Sequence, residues 1–251
     1  MSLQTSDTCE TFRKEVDICG MFNRIAPRYD LLNHLLSFGQ DFFWRRKVAK
    51  YLNSSGNGKL EILDLATGTG DLLISLFREN HNITKAVGLD ISENMLAICR
   101  EKINSHKLTE QISLVQADAA GIPFSENSFD AVTIAFGIRN TADTFGTLKE
   151  MHRILRPGGI SLILEFSLPA NRILRKCYLF YLRHFVPLLG RVVSGDDYAY
   201  RYFGKTVENF YSADDFCALM KEAGFLNVQA NQLTVGVVCI YSGYKAEKNI
   251  G

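Results

Sequence analysis

The run Asp64-Leu-Ala-Thr-Gly-Thr-Gly-Asp71 sets a Gly-x-Gly turn between an apolar stretch and a helix-length segment. Glycines in such a turn let the backbone approach a ligand with no Cβ in the way, so Gly68 and Gly70 are candidates to line a nucleotide site beside Asp64. A dinucleotide fingerprint needs a third glycine three residues after Gly70, and Leu73 stands there. Asp90 closes the next apolar run, 20 residues beyond Gly70, where a carboxylate can accept both hydroxyls of a ribose. Asp118, in Gln116-Ala-Asp-Ala-Ala120, follows the third run and is placed to read an adenine amino group. The pattern suits a nucleoside without a pyrophosphate. Singly, each feature has a plainer reading: a tight turn for the glycines, a strand end beside the Ser92 helix cap for Asp90, and a loop acid for Asp118. All three at the ends of successive strands form a much rarer coincidence.

The elements that must position these residues alternate from residue 59 onward, which predicts an α/β fold with a mostly parallel sheet covered by helices. Glu61 to Ala66, Lys85 to Asp90, Ile112 to Ala117, Phe129 to Ala135 and Ile160 to Phe166 read as strands. Gly70 to Glu79, Ser92 to Ser105 and Thr141 to Leu155 read as helices, the last stopped by Pro157, Gly158 and Gly159. Ser212 to Ala223 reads as a further helix, and Val228 to Leu233 with Val235 to Tyr244 as a closing strand pair. Residues 1–56 read as an N-terminal helical cap ending in the linker Asn-Ser-Ser-Gly-Asn-Gly-Lys, and residues 57–251 as the main domain. Residues 168–211, rich in aromatics and arginine, interrupt that domain as an inserted lid. Ligands of open α/β sheets sit outside the carboxyl ends of the strands, so cap and lid are both candidates to roof the site.

Composition narrows the classes further. The chain of 251 residues carries 28 Lys and Arg against 27 Asp and Glu, a net charge of +1, which gives no support to a nucleic-acid footprint. Hydrophobic residues at 47% exclude disorder. The six cysteines include no C-x-x-C pair and the five histidines no H-x-x-x-H, so neither a disulfide framework nor a bound metal is expected; the thiols read as reduced and cytoplasmic. The first twenty residues lack the apolar core of a secretory signal, and no stretch reaches 18 uncharged apolar residues.

Asp64 to Asp71, Asp90 and Asp118 resemble the S-adenosylmethionine site of class I methyltransferases, whose fold is a Rossmann-like, mostly parallel seven-stranded sheet. Further blocks narrow the match: Tyr29-Asp-Leu-Leu-Asn33 with Ser37, Phe38, Gly39 and Trp44; Phe136-Gly-Ile-Arg-Asn140; Arg153 to Gly159 leading to Glu165-Phe-Ser167; and Pro187, Gly190, Asp196 and Tyr200-Arg-Tyr202. In this order they are similar to the ubiquinone/menaquinone biosynthesis C-methyltransferase family over roughly residues 20 to 244. The resemblance implies cofactor contacts at Thr69, Asp90, Asp118 and Ala119; a serine usual in the family is Ala135 here. Leu32 replaces a usual Met, and Asp41 a usual His, which leaves the role of position 41 open.

The same resemblance implies methyl transfer to a ring carbon of a polyprenylated quinol, most directly demethylmenaquinol, with 2-methoxy-6-polyprenyl-1,4-benzoquinol as the alternative. A neutral aromatic carbon is a poor nucleophile, so the site must remove a hydroxyl proton or stabilise the phenolate. Arg139 is placed to be that cation, with Asn140 orienting a hydroxyl; Tyr29 and His184, then Tyr200, are alternative proton acceptors or hydrogen-bond partners. Between Phe166 and Gly195 no acid appears, while Arg172, Arg175, Lys176, Arg183 and Arg191 supply +5. That basic stretch predicts peripheral contact with the inner face of an anionic membrane, where such a quinol is dissolved. The sequence is compatible with a homodimer. Its rival readings are a nicotinamide oxidoreductase, weakened by Leu73 and the lack of a Tyr-x-x-x-Lys pair, and a non-catalytic quinone-binding protein.

Overall fold

A computed structural model describes residues 17–53, 58–194 and 196–247. The start of the cap, most of the linker and Cys9 lie outside the described residues. Two helices come first, α1 (Ile18–Leu36) and α2 (Gln40–Asn53), followed by β1 (Leu60–Leu65), α3 (Asp71–Glu79), β2 (Ile83–Asp90), α4 (Glu93–Ser105), β3 (Ile112–Gln116) and β4 (Phe129–Ala135). A short 3₁₀ turn, Ile138–Asn140, leads to α5 (Thr144–Ile154) and β5 (Leu155–Phe166).

The strand order is β3-β2-β1-β4-β5-β7-β6, where β6 is Leu226–Leu233 and β7 is Val238–Tyr244. The first five strands are parallel, and β7 runs antiparallel to both of its neighbours. This is the seven-stranded, mostly parallel sheet expected from the alternation. Chain order reverses between β1 and β4, which opens a crevice at their carboxyl ends. The fully buried strand residues Ile62, Leu63, Leu65, Ala131 and Val132 read as continuous apolar runs because helices cover both faces.

Some boundaries differ from the sequence reading. Strand β5 starts at Leu155, ahead of Gly158 and Gly159, and its register against β4 slips between the Phe129 and Ala131 pairings. The predicted stop signal is a bulge within a strand, where a Cβ on Gly159 would lie 2.8 Å from the Arg156 carbonyl. Helix α5 begins three residues late because Asp143 caps it, accepting from the Gly146 N–H at 2.8 Å. Strand β7 begins at Val238 because Thr234 and Val235 both take positive φ in a tight turn.

The insertion at 168–211 is helical: α6 (Arg172–Phe180), a π turn (Tyr181–Phe185), α7 (Val186–Ser194) and α8 (Asp197–Glu208). Pro187 lacks an N–H and cannot continue the ladder from α6, and the wide turn just before it absorbs that break. Leu182, Val186, Tyr200 and Tyr202 of the insertion pack with Met21, Ile25 and Leu32 of α1 into one buried cluster. A last helix, α9 (Ala213–Glu222), returns the chain to the sheet.

Candidate functional site

Two cavities open at the reversal point. The smaller, of about 140 Å³, is lined by Gly68, Asp90, Ile91, Met95, Asp118 and Ala119 among others. The larger, of about 310 Å³, lies under α1 and the insertion, with walls including Trp44, Arg139, Phe166 and Phe203. Phe22, Tyr29, Phe136 and Asn140 belong to both walls, so the cavities meet along these residues. Residues of both the cap and the insertion line the larger cavity, whereas only the cap reaches the smaller one.

The smaller cavity has the chemistry of a nucleoside site. Asp90 at the end of β2 accepts the Gly68 N–H at 2.8 Å and the Ser92 N–H at 2.9 Å. Those bonds use about two of the roughly four lone-pair sites of a carboxylate and leave the rest for a ribose diol. Burial raises the Asp90 pKa against the pull of these amides. Gly68 has φ +57°, and a Cβ built on it meets nothing within 4 Å, so a side chain there would stand in the space the turn keeps open. Ala119 is buried in the wall; Asp118 is exposed, with its carboxylate accepting the Ala120 N–H at 2.9 Å. Ile91 and Met95 supply an apolar wall that the sequence reading did not single out.

Three of the expected cofactor residues stand just outside this cavity. Asp64 is buried beneath the turn, accepting the Thr67 hydroxyl at 2.7 Å and the Thr133 hydroxyl at 2.6 Å. Burial lifts its pKa to about 6. Thr69 lines a narrow cleft with Asp64 and Tyr29, and its hydroxyl donates to Asp30 at 2.6 Å. Gly70 caps α3 at φ +85°, where a Cβ would lie 2.5 Å from Cys99 Sγ; it permits helix packing rather than ligand approach.

In the larger cavity Arg139 is buried, and its Nη1 donates to Glu165 at 2.7 Å and to the Phe136 carbonyl. The guanidinium lies over the rings of Phe166 and Phe203, 5.3 and 5.1 Å from their centroids. Glu165, fully buried at the end of β5, is the counter-ion that the sequence reading left without a role. No signal short of the fold could pair positions 26 residues apart. Two polar atoms at the cavity wall, Arg139 Nε and Asn140 Oδ1, have no partner among the described residues. One is a donor and the other an acceptor, which is the complement a ring hydroxyl requires. Phe136, just before them, sits at φ +57°, a strained backbone of the kind stored at ligand sites.

Of the candidate proton acceptors, Tyr29 and Tyr200 line the larger cavity and His184 does not. Burial raises the Tyr29 pKa above its usual value, against the opposing hydrogen bond with Asn33 and the charges of Arg139 and Arg45. That phenol is a donor rather than a base. His184 is exposed on the π turn, its ring tilted at 47° to that of Phe180 with centroids 4.7 Å apart, and forms no part of either cavity wall. The lone histidine beside an aromatic is a packing residue.

Asp41, the position that departs from the resemblance, lies in the wall of the larger cavity and is buried. Its carboxylate accepts the Ser37 hydroxyl at 2.8 Å, meets His34 Nδ1 at 2.7 Å and pairs with Arg45. Burial alone would raise its pKa, but Arg45, Ser37 and His34 outweigh it and hold the carboxyl below the usual range. His34, Asp41 and Asp71 gather within 4.8 Å, a spacing a cation could use, yet the Arg45 guanidinium bridges the two carboxylates and supplies the positive charge itself.

The model of the ubiE/COQ5 methyltransferase family matches residues 10–245. The chain is 42% identical over 228 residues to the ubiquinone/menaquinone biosynthesis C-methyltransferase UbiE of Geobacter sulfurreducens, covering 91% of this chain and 88% of that one. It is 36% identical over 238 residues to the protein of the same name from a Shewanella species, covering 95% and 94%. Among solved structures, a SAM-dependent methyltransferase of Thermotoga maritima superposes with a TM-score of 0.62 at 19% identity, over 91% of this chain and 100% of that one.

Proposed function

Since this chain belongs to the ubiE/COQ5 methyltransferase family, we propose that it methylates a ring carbon of a polyprenylated quinol, most directly demethylmenaquinol. It is a class I methyltransferase whose methyl donor is S-adenosylmethionine. Both rival readings, the oxidoreductase and the non-catalytic binder, give way to that membership.

The observation that carries the substrate reading is the join of the two cavities at Tyr29, Phe136 and Asn140, with the unpartnered donor and acceptor of Arg139 and Asn140 beside it. When bound, S-adenosylmethionine supplies an electrophilic methyl on a sulfonium. Gly68 and Asp90 would hold the adenosine end, with Asp118 and Ala119 at the base. On the other side, the aromatic walls of Trp44, Phe166 and Phe203 exclude water and stack a planar ring. A fused naphthoquinol offers more face to those walls than a benzoquinol does, which favours demethylmenaquinol. Arg139 Nε can donate to the ring oxygen as negative charge develops there, and Asn140 Oδ1 can accept from a hydroxyl. Because Glu165 already balances the guanidinium, the site acts by an oriented donor more than by a free positive charge.

A membrane surface supports the same substrate. Phe38 is 83% exposed and lies 6.3 Å from Tyr181, whose ring also neighbours Phe185. Leu31, Leu35, Ile173, Phe180 and Leu188 add exposed apolar area on the cap and insertion. Arg183 pairs with Glu208, so it leaves the expected basic set, while Arg172, Arg175, Lys176 and Arg191 carry no ion pair among the described residues. No helix among the described residues is long and apolar enough to cross a membrane. We assign this surface to reversible contact with anionic lipid, from which the quinol enters.

The test is single-turnover methyl transfer from S-adenosylmethionine to each quinol in detergent. Wild-type protein should methylate demethylmenaquinol faster than the benzoquinol. Arg139→Ala should slow the step by roughly 10² to 10³ with cofactor affinity unchanged. Transfer to neither quinol would overturn the assignment.

A further inference from the structure

Methylating an aromatic carbon releases one proton per turnover, and an aromatic chamber roofed by helices must contain a base and a way out for that proton. The groups at the described cavity walls leave few choices. Tyr29 keeps its proton, and Arg139 is always charged.

Asp41 and His34 divide the wall between two spaces. Asp41, in the first turn of α2, is 2% exposed and lines the larger cavity together with Ser37 and Arg45. Arg45 in turn lies 5.8 Å over the ring of Phe136, the residue common to both cavities, which puts this polar corner beside the reacting end. His34, in the last turn of α1, is absent from that wall and lines a separate outer cavity with Asp30, Asp71 and Lys102. Its side chain is 30% exposed, and its ring stacks on Phe42 at 4.3 Å, which fixes its plane. Across the wall His34 Nδ1 and Asp41 Oδ2 are 2.7 Å apart. From the surrounding elements the pair meets Ser37 in the turn after α1, Arg45 on α2, Asp71 on α3 and Lys102 on α4.

We propose that Asp41 is the base that takes the hydroxyl proton of the bound quinol and that His34 carries it to solvent through the outer cavity. The inference rests on the quinol reading above. In the step, the ring π pair forms the carbon–methyl bond while the methyl–sulfur bond breaks and leaves its pair on sulfur. The hydroxyl proton moves to an Asp41 carboxylate oxygen as its C–O bond becomes a carbonyl. The resulting dienone loses its ring C–H proton and regains the hydroxyl, so one proton leaves the site per methyl. At rest the His34 Nδ1–H donates to ionised Asp41. Once Asp41 holds the quinol proton, a half-turn of the ring about Cβ–Cγ, which keeps its stacking plane, lets water in the outer cavity exchange it to the Nε2–H form. The Asp41 carboxyl then donates to the bare Nδ1, and Nε2 releases its proton to water. A carboxylate suffices as base because the hydroxyl becomes a strong acid once the ring begins to take the methyl cation.

His34→Gln, Asp41→Asn and Asp41→Glu are compared with wild type in single-turnover transfer to whichever quinol the wild type methylates, with cofactor affinity measured alongside. His34→Gln should slow transfer about tenfold or more, and Asp41→Asn about a hundredfold, as general base catalysis contributes on that scale. Asp41→Glu should keep part of the rate. Millimolar imidazole should speed His34→Gln, because the outer cavity opens to solvent, and should leave Asp41→Asn unchanged. A structural role for the pair would show no such rescue. A wild-type rate in His34→Gln, or a slow His34→Gln that imidazole does not restore, would overturn the relay. Because His34 is partly exposed, that variant decides the matter even where Asp41→Asn does not fold. A wild type that methylates neither quinol would instead count against the function.

Discussion

The two cavities sit side by side and are built on opposite plans. At the smaller one each carboxylate is held by main-chain N–H groups of the turns beside it. Asp90 is held by Gly68 and Ser92, and Asp118 by Ala120, all through backbone amides. At the larger one the polar groups are answered by other side chains: Arg139 by Glu165 at the end of β5, and Asp41 by Arg45 and His34. The first plan makes a rigid cradle for a nucleoside. The second leaves the Arg139 Nε donor and the Asn140 Oδ1 acceptor without a protein partner.

The comparison breaks most easily at Glu165. Its removal strands the Arg139 guanidinium in a buried site, and breaking a buried ion pair from one side costs about 3 to 5 kcal/mol. At this chain length that lowers Tm by about 10 °C. Glu165→Ala should therefore melt well below wild type, and Glu165→Ala with Arg139→Ala should recover part of the loss, since the lone charge goes too. Calorimetry on the three variants checks it. Equal stability of Glu165→Ala and wild type would mean that the larger cavity is no more cross-braced than the smaller.

These two plans also explain what the sequence made legible. Gly68, Asp90 and Asp118 line the smaller cavity because a strand followed by a turn brings its end to the sheet edge, whatever the rest of the fold does, whereas Asp64 is buried beneath the turn. Arg139 and Asn140 were readable for the same reason, standing just past β4. Glu165 was visible only as part of a motif, because its partner is set by which strands neighbour each other. Asp41 looked doubtful because position 41 departs from the family; its partner His34 lies one turn across a helix junction, and nothing in the spacing marks the pair. His184 failed in the opposite way: a histidine in the insertion reads as chemistry, yet the helical course of that segment turns it outward. Thr69 was assigned to the ligand by the resemblance and Gly70 by its place in the turn; the Thr69 hydroxyl donates to Asp30, and the space beside Gly70 is filled by Cys99.

Asp64 sharpens the comparison through pH. Burial raises its pKa from 3.8 to about 6 against the two threonine hydroxyls that favour the charged form. The native state therefore holds a proton that the unfolded state gives up earlier. Stability from this group is full below about pH 4 and is lost as pH rises through 6, a change of roughly 3 kcal/mol. In Asp64→Asn that slope should vanish, so the difference between variant and wild type in urea midpoint should shift in the variant's favour from pH 4 to pH 7. A constant difference would show that Asp64 ionises in the fold as it does unfolded, and that the turn is better solvated than its burial implies.

The smallest effect is expected at the cradle itself. Asp90→Ala removes an acceptor that two backbone amides and the cofactor ribose would share, and hydrogen bonds to a charged group are worth about 1.5 to 3 kcal/mol. Cofactor affinity should fall about tenfold to a hundredfold. The Gly68 amide is only half-buried and the orphaned Ser92 amide, though buried, carries no charge, so the fold should lose less than in Glu165→Ala. Isothermal titration with S-adenosylmethionine, beside a melting curve, separates the two results. If Asp90→Ala binds the cofactor as wild type does, the ribose is read elsewhere on the wall. If it melts as Glu165→Ala does, the main-chain plan inferred for the smaller cavity is wrong, because Asp90 would then be bracing the sheet end as Glu165 braces the chamber.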